Sequence, residues 1–421
     1  MKLAIRQVRL LDPFQELDCT TDLFVENGVM VEQLSGPADR VIEGQSLMAC
    51  PGFIDAHTHL RDPGFSYKED IITGTRAAAK GGYVLLATMP NTKPVTDTPA
   101  EIRYQLTTAE DAGYCDLIPL SAATVGEYGE ALPDYAALKA AGAVGVTDDG
   151  KTIASSRILY SILKEAAKQG LVVIDHAEEP SLSHLGPIHQ GKVAEHLGIS
   201  GMPSTAESIV VARDILVAQD LGLPIHICHV SCKETVHMIR EAQQQGVKVT
   251  ADVCPHHICL NEEAVLKFGA DAKMYPPLRA EADRQALIDA LRDGTIEIIA
   301  TDHAPHTAEE KARGLQDAPN GVVGLETAFA TCYTELCLRQ NFSLGKLVEL
   351  FTLGPARLLG LGDRSLAAGQ TADLVLVDLG ATETISKERF VSKSHNTPFD
   401  GFPVNCRIFA TIKQGEFTYV A

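Results

Sequence analysis

Two histidines spaced two apart, His57 and His59, close the stretch Gly52-Phe53-Ile54-Asp55-Ala56-His57-Thr58-His59-Leu60-Arg61. Its first half reads as a buried strand. Side chains alternate faces on a strand, so both imidazoles point the same way. Neutral imidazole pairs suit a divalent metal, although two satisfied polar residues ending a strand would look the same. Further candidate groups follow other apolar runs: Asp148-Asp149-Gly150, Asp175-His176, His226-Ile227-Cys228-His229, His256-His257 and Asp302-His303-Ala304-Pro305-His306. Each also has a plainer reading. Asp149 before Gly150 fits a turn, and His176 fits a core histidine paired with Glu178 or Glu179. His226 and His229 face opposite ways on a strand, which favours His229, at the strand end, as a ligand. Cys228 and Cys232 flank His229 and could supply thiolates, but better donors lie close by. His256 and His257 read as strand-end packing, or as support behind the ligands, rather than as ligands themselves. Asp302 is the hardest to explain as structure, because an ionised carboxylate closing a buried strand needs a cation or a donor. Four histidines and two aspartates from five strand ends make a two-metal hydrolytic inventory.

These groups need elements that bring them together. Apolar runs at 52–56, 83–89, 116–122, 143–146, 171–174, 224–228, 247–253 and 296–300 alternate with helix-like segments, for example 68–80, 155–169, 205–220, 233–245 and 281–292. Eight such repeats predict an α/β fold, a (β/α)8 TIM-like barrel over 51–359. An open doubly wound sheet alternates in the same way. The barrel is preferred because ligand-type residues gather at the C-terminal ends of most strands, where barrels place active sites. Residues 1–50 carry short strand-like runs and an Asn27-Gly28 hairpin signal. Strand-like runs return at 374–377 and 407–412, so 1–50 and 360–421 are expected to form one small β-sandwich domain from both chain ends. The segment 311–322, rich in Gly, Pro and Asn, reads as a mobile loop over the site or a surface connection.

The chain has 421 residues, 45% hydrophobic and 22% charged, as in a globular protein with a large core. A formal charge of -19 argues against nucleic acid or an anionic membrane surface as partner. No apolar run reaches the length of a membrane span, and the N-terminus turns polar too soon for a signal peptide. Ten scattered cysteines without a C-x-x-C pair read as reduced thiols of a cytoplasmic protein.

The motifs resemble the amidohydrolase superfamily, and within it the bacterial type I dihydroorotases. The resemblance runs from the chain start to Asn396-Thr397-Pro398-Phe399. Its two most specific parts are Pro51 to Gly64, with His57-Thr58-His59-Leu60-Arg61-Asp62-Pro63-Gly64, and Asp302 to Lys311, with Asp302-His303-Ala304-Pro305-His306. The first alone also fits hydantoinases and allantoinases. The resemblance implies two Zn2+ per chain, one on His57, His59 and Asp302 and the other on His176 and His229. Asp149 and a hydroxide would bridge them, Asp149 standing where hydantoinases carry a carboxylated lysine. Arg61, Asn91 and His306 would bind a substrate carboxylate, with His59, Tyr275, Asn320 and Gly321 also at the substrate. Asp302 would act as general acid/base. The implied reaction is the reversible cyclisation of N-carbamoyl-L-aspartate to L-dihydroorotate in pyrimidine biosynthesis. A homodimer and association with aspartate transcarbamoylase are further implications. The alternatives are another cyclic amidohydrolase, or a non-catalytic scaffold for that transcarbamoylase. The chain departs from the family at Tyr275, usually asparagine in Met-Asn-Pro-Pro-Leu-Arg, and at Asn320, where Pro-Phe-Gly is common.

Overall fold

Strands from the two ends of the chain share one sheet in the computed structural model, which describes residues 1–421. The first five are β1 (Lys2–Asp12), β2 (Leu17–Glu26), β3 (Val29–Val31), β4 (Arg40–Glu43) and β5 (Leu47–Pro51). Strand β1 pairs β2 along one edge and β4, then β5, along the other. The Asn27-Gly28 turn between β2 and β3 has positive φ at both residues, as a tight hairpin turn requires. A Cβ at Gly28 would lie 2.9 Å from the Gln414 carbonyl, so the same glycine lets the C-terminal segment approach.

The barrel follows. Its strands are β6 (Phe53–Thr58), β7 (Tyr83–Thr88), β8 (Asp116–Pro119) continued as β9 (Ser121–Ala122), β10 (Gly145–Thr147), β11 (Val172–Asp175), β12 (Ile225–Ile227), β13 (Val249–Val253) and β14 (Ile298–Ile299). Neighbours are parallel throughout. Closure comes beyond β14, where the His59 N–H donates to the His303 carbonyl at 2.8 Å. That contact excludes the open sheet, since the last strand returns to the first. Nearly every residue of these strands is buried, which is why they read as continuous apolar runs. Helices 71–80, 156–169, 205–221, 233–244 and 281–293 lie within a residue or a few of the expected segments.

After the barrel, β15 (Leu374–Asp378) pairs antiparallel with β5, from Leu374 opposite Pro51 to Asp378 opposite Leu47. A short hairpin of β16 (Glu383–Thr384) and β17 (Pro403–Val404) precedes β18 (Arg407–Lys413) and β19 (Glu416–Val420), which extend the sheet beyond β15. Leu3, Ile5, Leu23 and Val25 meet Leu374, Leu376, Ala410 and Ile412 in one core. The expected two layers are therefore the two ends of one folded sheet, joined where the Met30 N–H donates to the Gln370 carbonyl at 2.8 Å. Residues 385–402 leave this sheet. Ile385, Phe399 and Phe402 pack with Ile188, Leu260 and Val322 near the barrel mouth. No helix is long and apolar enough to cross a membrane.

The barrel floor is aromatic. Phe53 stacks on Phe329 with ring centroids 4.6 Å apart and meets Phe351 and Tyr83 at 5.4 and 5.8 Å. Met48, Cys50, Val375 and Val377 of the terminal sheet belong to the same core. Truncating a fully buried phenylalanine costs about 3–5 kcal/mol. Phe53→Ala is therefore expected to lower the denaturant midpoint of unfolding sharply; a midpoint unchanged from the parent would show that the floor does not join barrel and sheet energetically.

Candidate metal centre

Asp149, just past β10, divides its carboxylate between two pairs of imidazoles. Its Oδ2 lies 3.4 Å from His57 Nε2 and 3.3 Å from His59 Nε2. Its Oδ1 lies 3.4 Å from both His176 Nδ1 and His229 Nε2. Asp302 Oδ1 joins the first pair, 3.5 Å from His57 Nε2 and 3.2 Å from His59 Nε2. His57 and His59 leave β6 on one face, His176 follows β11, His229 follows β12 and Asp302 follows β14. All six are buried. His57 and His59 nitrogens stand 3.3 Å apart, and those of His176 and His229 2.9 Å apart.

This geometry calls for positive charge. Burial alone would depress the His57 imidazole, but Asp149 and then Asp302 outweigh it and raise it to about 9. Burial would likewise raise the Asp149 carboxyl, yet His57, His176 and His229 hold it well below the usual carboxylate range. Asp302 is held low by His59 and His57 against the same burial. Imidazole nitrogens and carboxylate oxygens are the donor set of a borderline divalent cation, so the residues present fit a metal.

Neighbouring groups fix these side chains. His59 Nδ1 is 2.9 Å from Asn91 Oδ1, and His176 Nε2 is 2.7 Å from Glu178 Oε2. His176 thus has both partners considered for it: the cluster on one nitrogen and a carboxylate on the other. Asp252 in β13 accepts the His229 N–H at 2.7 Å and holds His226 Nε2 at 2.9 Å. His226 accordingly points away from the cluster. Asp148 also turns away, accepting from the Thr124 N–H and hydroxyl. Asp302, His229 and Arg61 have φ of 45, 39 and 60°, in the left-handed region that non-glycine residues avoid. Strain of this kind collects at functional sites.

The cluster floors a cavity of about 310 Å3 whose wall includes Arg61, Asn91, Tyr275, His306 and Asn320. Arg61 donates from Nε to the Pro305 carbonyl at 3.2 Å, and its Nη2 lies 3.3 Å from His306 Nε2. Burial, then Arg61, Lys68 and Lys311, push the His306 imidazole down to about 2, so it is neutral. Its Nε2 lies 2.8 Å from the Asn320 carbonyl and its Nδ1 3.2 Å from Lys68 Nζ. A Cβ at Gly150 would sit 2.8 Å from Asn91 Nδ2, so glycine there leaves room for that amide.

A dihydro-orotase-like family model matches residues 46–235. The dihydroorotase of Geobacillus sp. (strain WCH70) is 45% identical over 386 residues, covering 91% of this chain and 90% of its own. The dihydroorotase of Anoxybacillus flavithermus is 42% identical over 100% of this chain and 99% of its own. The chain belongs to the dihydroorotase family. It is an enzyme-family member of the amidohydrolase superfamily. An L-hydantoinase from Arthrobacter aurescens superposes with a TM-score of 0.89 at 25% identity, covering 99% of this chain and 95% of that one. A dihydropyrimidinase from Brevibacillus agri NCHU1002 gives 0.83 at 23% identity, a likeness of fold.

Against that family background, several residues differ from the sequence reading. His256 and His257 lie in a short helix, Pro255–Cys259, directly after β13; both are buried, and His257 Nε2 donates to the Pro276 carbonyl at 2.9 Å. Cys232 turns toward Glu207 and Thr235, away from the cluster. Cys228 does border it, 3.4 Å from His229 Nε2, but burial and Asp149 push its thiol well up, so it stays protonated. Segment 311–322 does reach the site, where Pro319, Asn320 and Gly321 line the cavity; it also holds a short helix, Gly314–Asp317, and begins at the buried Lys311. Lys68 and Asp252 were not singled out, since nothing local in the sequence marks them.

Partners that orient a metal-bound imidazole typically contribute 10- to 100-fold in metal affinity. Glu178→Gln is expected to weaken metal binding by about that factor in chelator competition; equal affinity in parent and variant would remove Glu178 from the centre.

Proposed function

We propose that the protein is a dizinc dihydroorotase that interconverts L-dihydroorotate and N-carbamoyl-L-aspartate. One observation carries this reading: the Asp149-centred imidazole cluster and the Arg61 guanidinium line the same cavity. One zinc would rest on His57, His59 and Asp302, the other on His176 and His229, with Asp149 between them. When bound, the pair would supply Lewis acidity and a hydroxide-like nucleophile near neutral pH.

The chain's own residues do the rest. Arg61 offers a planar guanidinium fork to the substrate carboxylate. Asn91 keeps its amide nitrogen for the same group, since its oxygen already meets His59. Asp302 takes the proton released as the nucleophile adds to the ring carbonyl carbon. It returns that proton to the ring nitrogen as the carbon–nitrogen bond breaks, and ring closure runs the same transfers backwards. Such transfer is worth about 10²–10⁴-fold. A carboxylate-bearing ring, rather than an uncharged hydantoin, would give the half-buried Arg61 guanidinium an anionic partner at this wall. All ten cysteines are free, which suits a reducing, cytoplasmic setting.

Zinc-replete protein is expected to consume dihydroorotate with about two zinc per chain, metal being measured on the same sample. Hydantoin turnover without dihydroorotate turnover would replace the substrate, and metal-free, inactive protein would leave a scaffold. Asp302→Asn should lose at least about 10²-fold in kcat while remaining folded by circular dichroism. Arg61→Ala should raise KM for dihydroorotate; an unchanged KM would take Arg61 out of carboxylate binding.

A further inference from the structure

Five carbonyl groups between Gln316 and Gly321 each accept a hydrogen bond from a side chain. Lys273 Nζ donates to Gln316 and Ala318 at 2.9 and 2.7 Å. Lys311 Nζ donates to Pro319 at 3.0 Å, His306 Nε2 to Asn320 at 2.8 Å and Asn396 Nδ2 to Gly321 at 2.9 Å. Both lysines are buried, 5% and 6% exposed, and neither pairs with a carboxylate. Burial lowers both amines, Lys311 to about 7; Asp317 opposes this at Lys273, while at Lys311 Asp271 opposes it and the neighbouring Lys273 adds to it. A buried lysine amine needs its N–H donors used, and here backbone carbonyls accept two from each.

The two lysines are also tied to each other. The Lys273 carbonyl accepts from Lys311 Nζ at 3.1 Å and from the Gly321 N–H at 3.0 Å. Lys273 lies two residues before Tyr275, and Gly321 follows Asn320. The knot therefore joins the two cavity walls that carry Tyr275 and Asn320, the positions where this chain departs from its family. Neither lysine lines the cavity.

We infer that Lys273 and Lys311 are positioning residues for substrate recognition, setting the spacing of the Tyr275 and Asn320–Gly321 walls without touching substrate. This rests on the dihydroorotase reading for its substrate. A structural role alone would change stability; positioning changes KM at constant metal content.

Lys311→Met deletes both of its bonds. Zinc content should stay at the parent value, KM for dihydroorotate should rise by about fivefold or more, and kcat should move by less than about threefold. Amide hydrogen exchange over 312–322 should quicken while the barrel strands keep their protection. Lys311→Arg, which keeps a charged donor, should recover part of the KM change. Faster exchange with an unchanged KM would overturn the inference, as would an altered KM without faster exchange. If Lys311→Met does not accumulate folded, Lys273→Met removes the other two bonds and carries the same readouts. Parent protein that fails to turn over dihydroorotate would instead sink the functional reading, and the exchange result would still judge the lysine knot.

Discussion

Two carboxylates buried among four imidazoles set the terms for this structure. Asp149 and Asp302 lie out of water, where an unpaired negative charge is prohibitively costly. Their position is tolerable only because cationic or cation-seeking groups approach from several strands at once. No single segment could supply that. The barrel does so by ending five strands at one mouth, and it accepts left-handed backbone at Asp302 and His229 to aim them. Stability and chemistry therefore pull on the same atoms: the arrangement that needs a cation is the arrangement that would use one.

Support for the centre reaches far in sequence. Asp55 in β6 accepts from the Thr301 N–H at 3.0 Å and from the Thr301 hydroxyl, tying the His57 strand to the Asp302 strand. Asn396, from the segment that returns from the terminal sheet, accepts the His306 N–H at 3.0 Å. The sheet built from both ends is thus joined to the cavity wall as well as to the barrel floor. Arg61 and His306 sit where these supports converge.

The barrel was legible because its strands are buried on both faces and several of its helices, 71–80, 156–169 and 233–244 among them, carry a clear period; all eight strands fall on runs visible in the sequence. The six residues of the cluster were legible because polar side chains at the ends of apolar runs have few structural explanations. Single folded sheet and sandwich were not distinguishable, since both show the same short strands; the pairing of β5 with both β1 and β15 is what makes the sheet continuous. His256 and His257 were placed at a strand end because a proline-led single turn of helix has too few residues to show a period. Segment 311–322 looked loose because Gly, Pro and Asn mark turns, whereas what secures it, two lysines folded inward, carries the sequence signature of a solvated surface.

The same composite sheet has a bearing on how the chain acquires its shape. Strand β5 is buried along its whole length by a partner made long after it, and Leu366 bonds Asp12 across 354 residues. At about 5–20 residues per second, a ribosome leaves that edge open for tens of seconds. During synthesis the apolar Leu47–Pro51 strand, paired only with β1, therefore has one edge waiting for its mate, the kind of template on which nascent chains aggregate. The barrel sits between the two halves of the sheet, so its completion is what delivers β15 to β5. Biogenesis thus has an order written into it: barrel first, seal last.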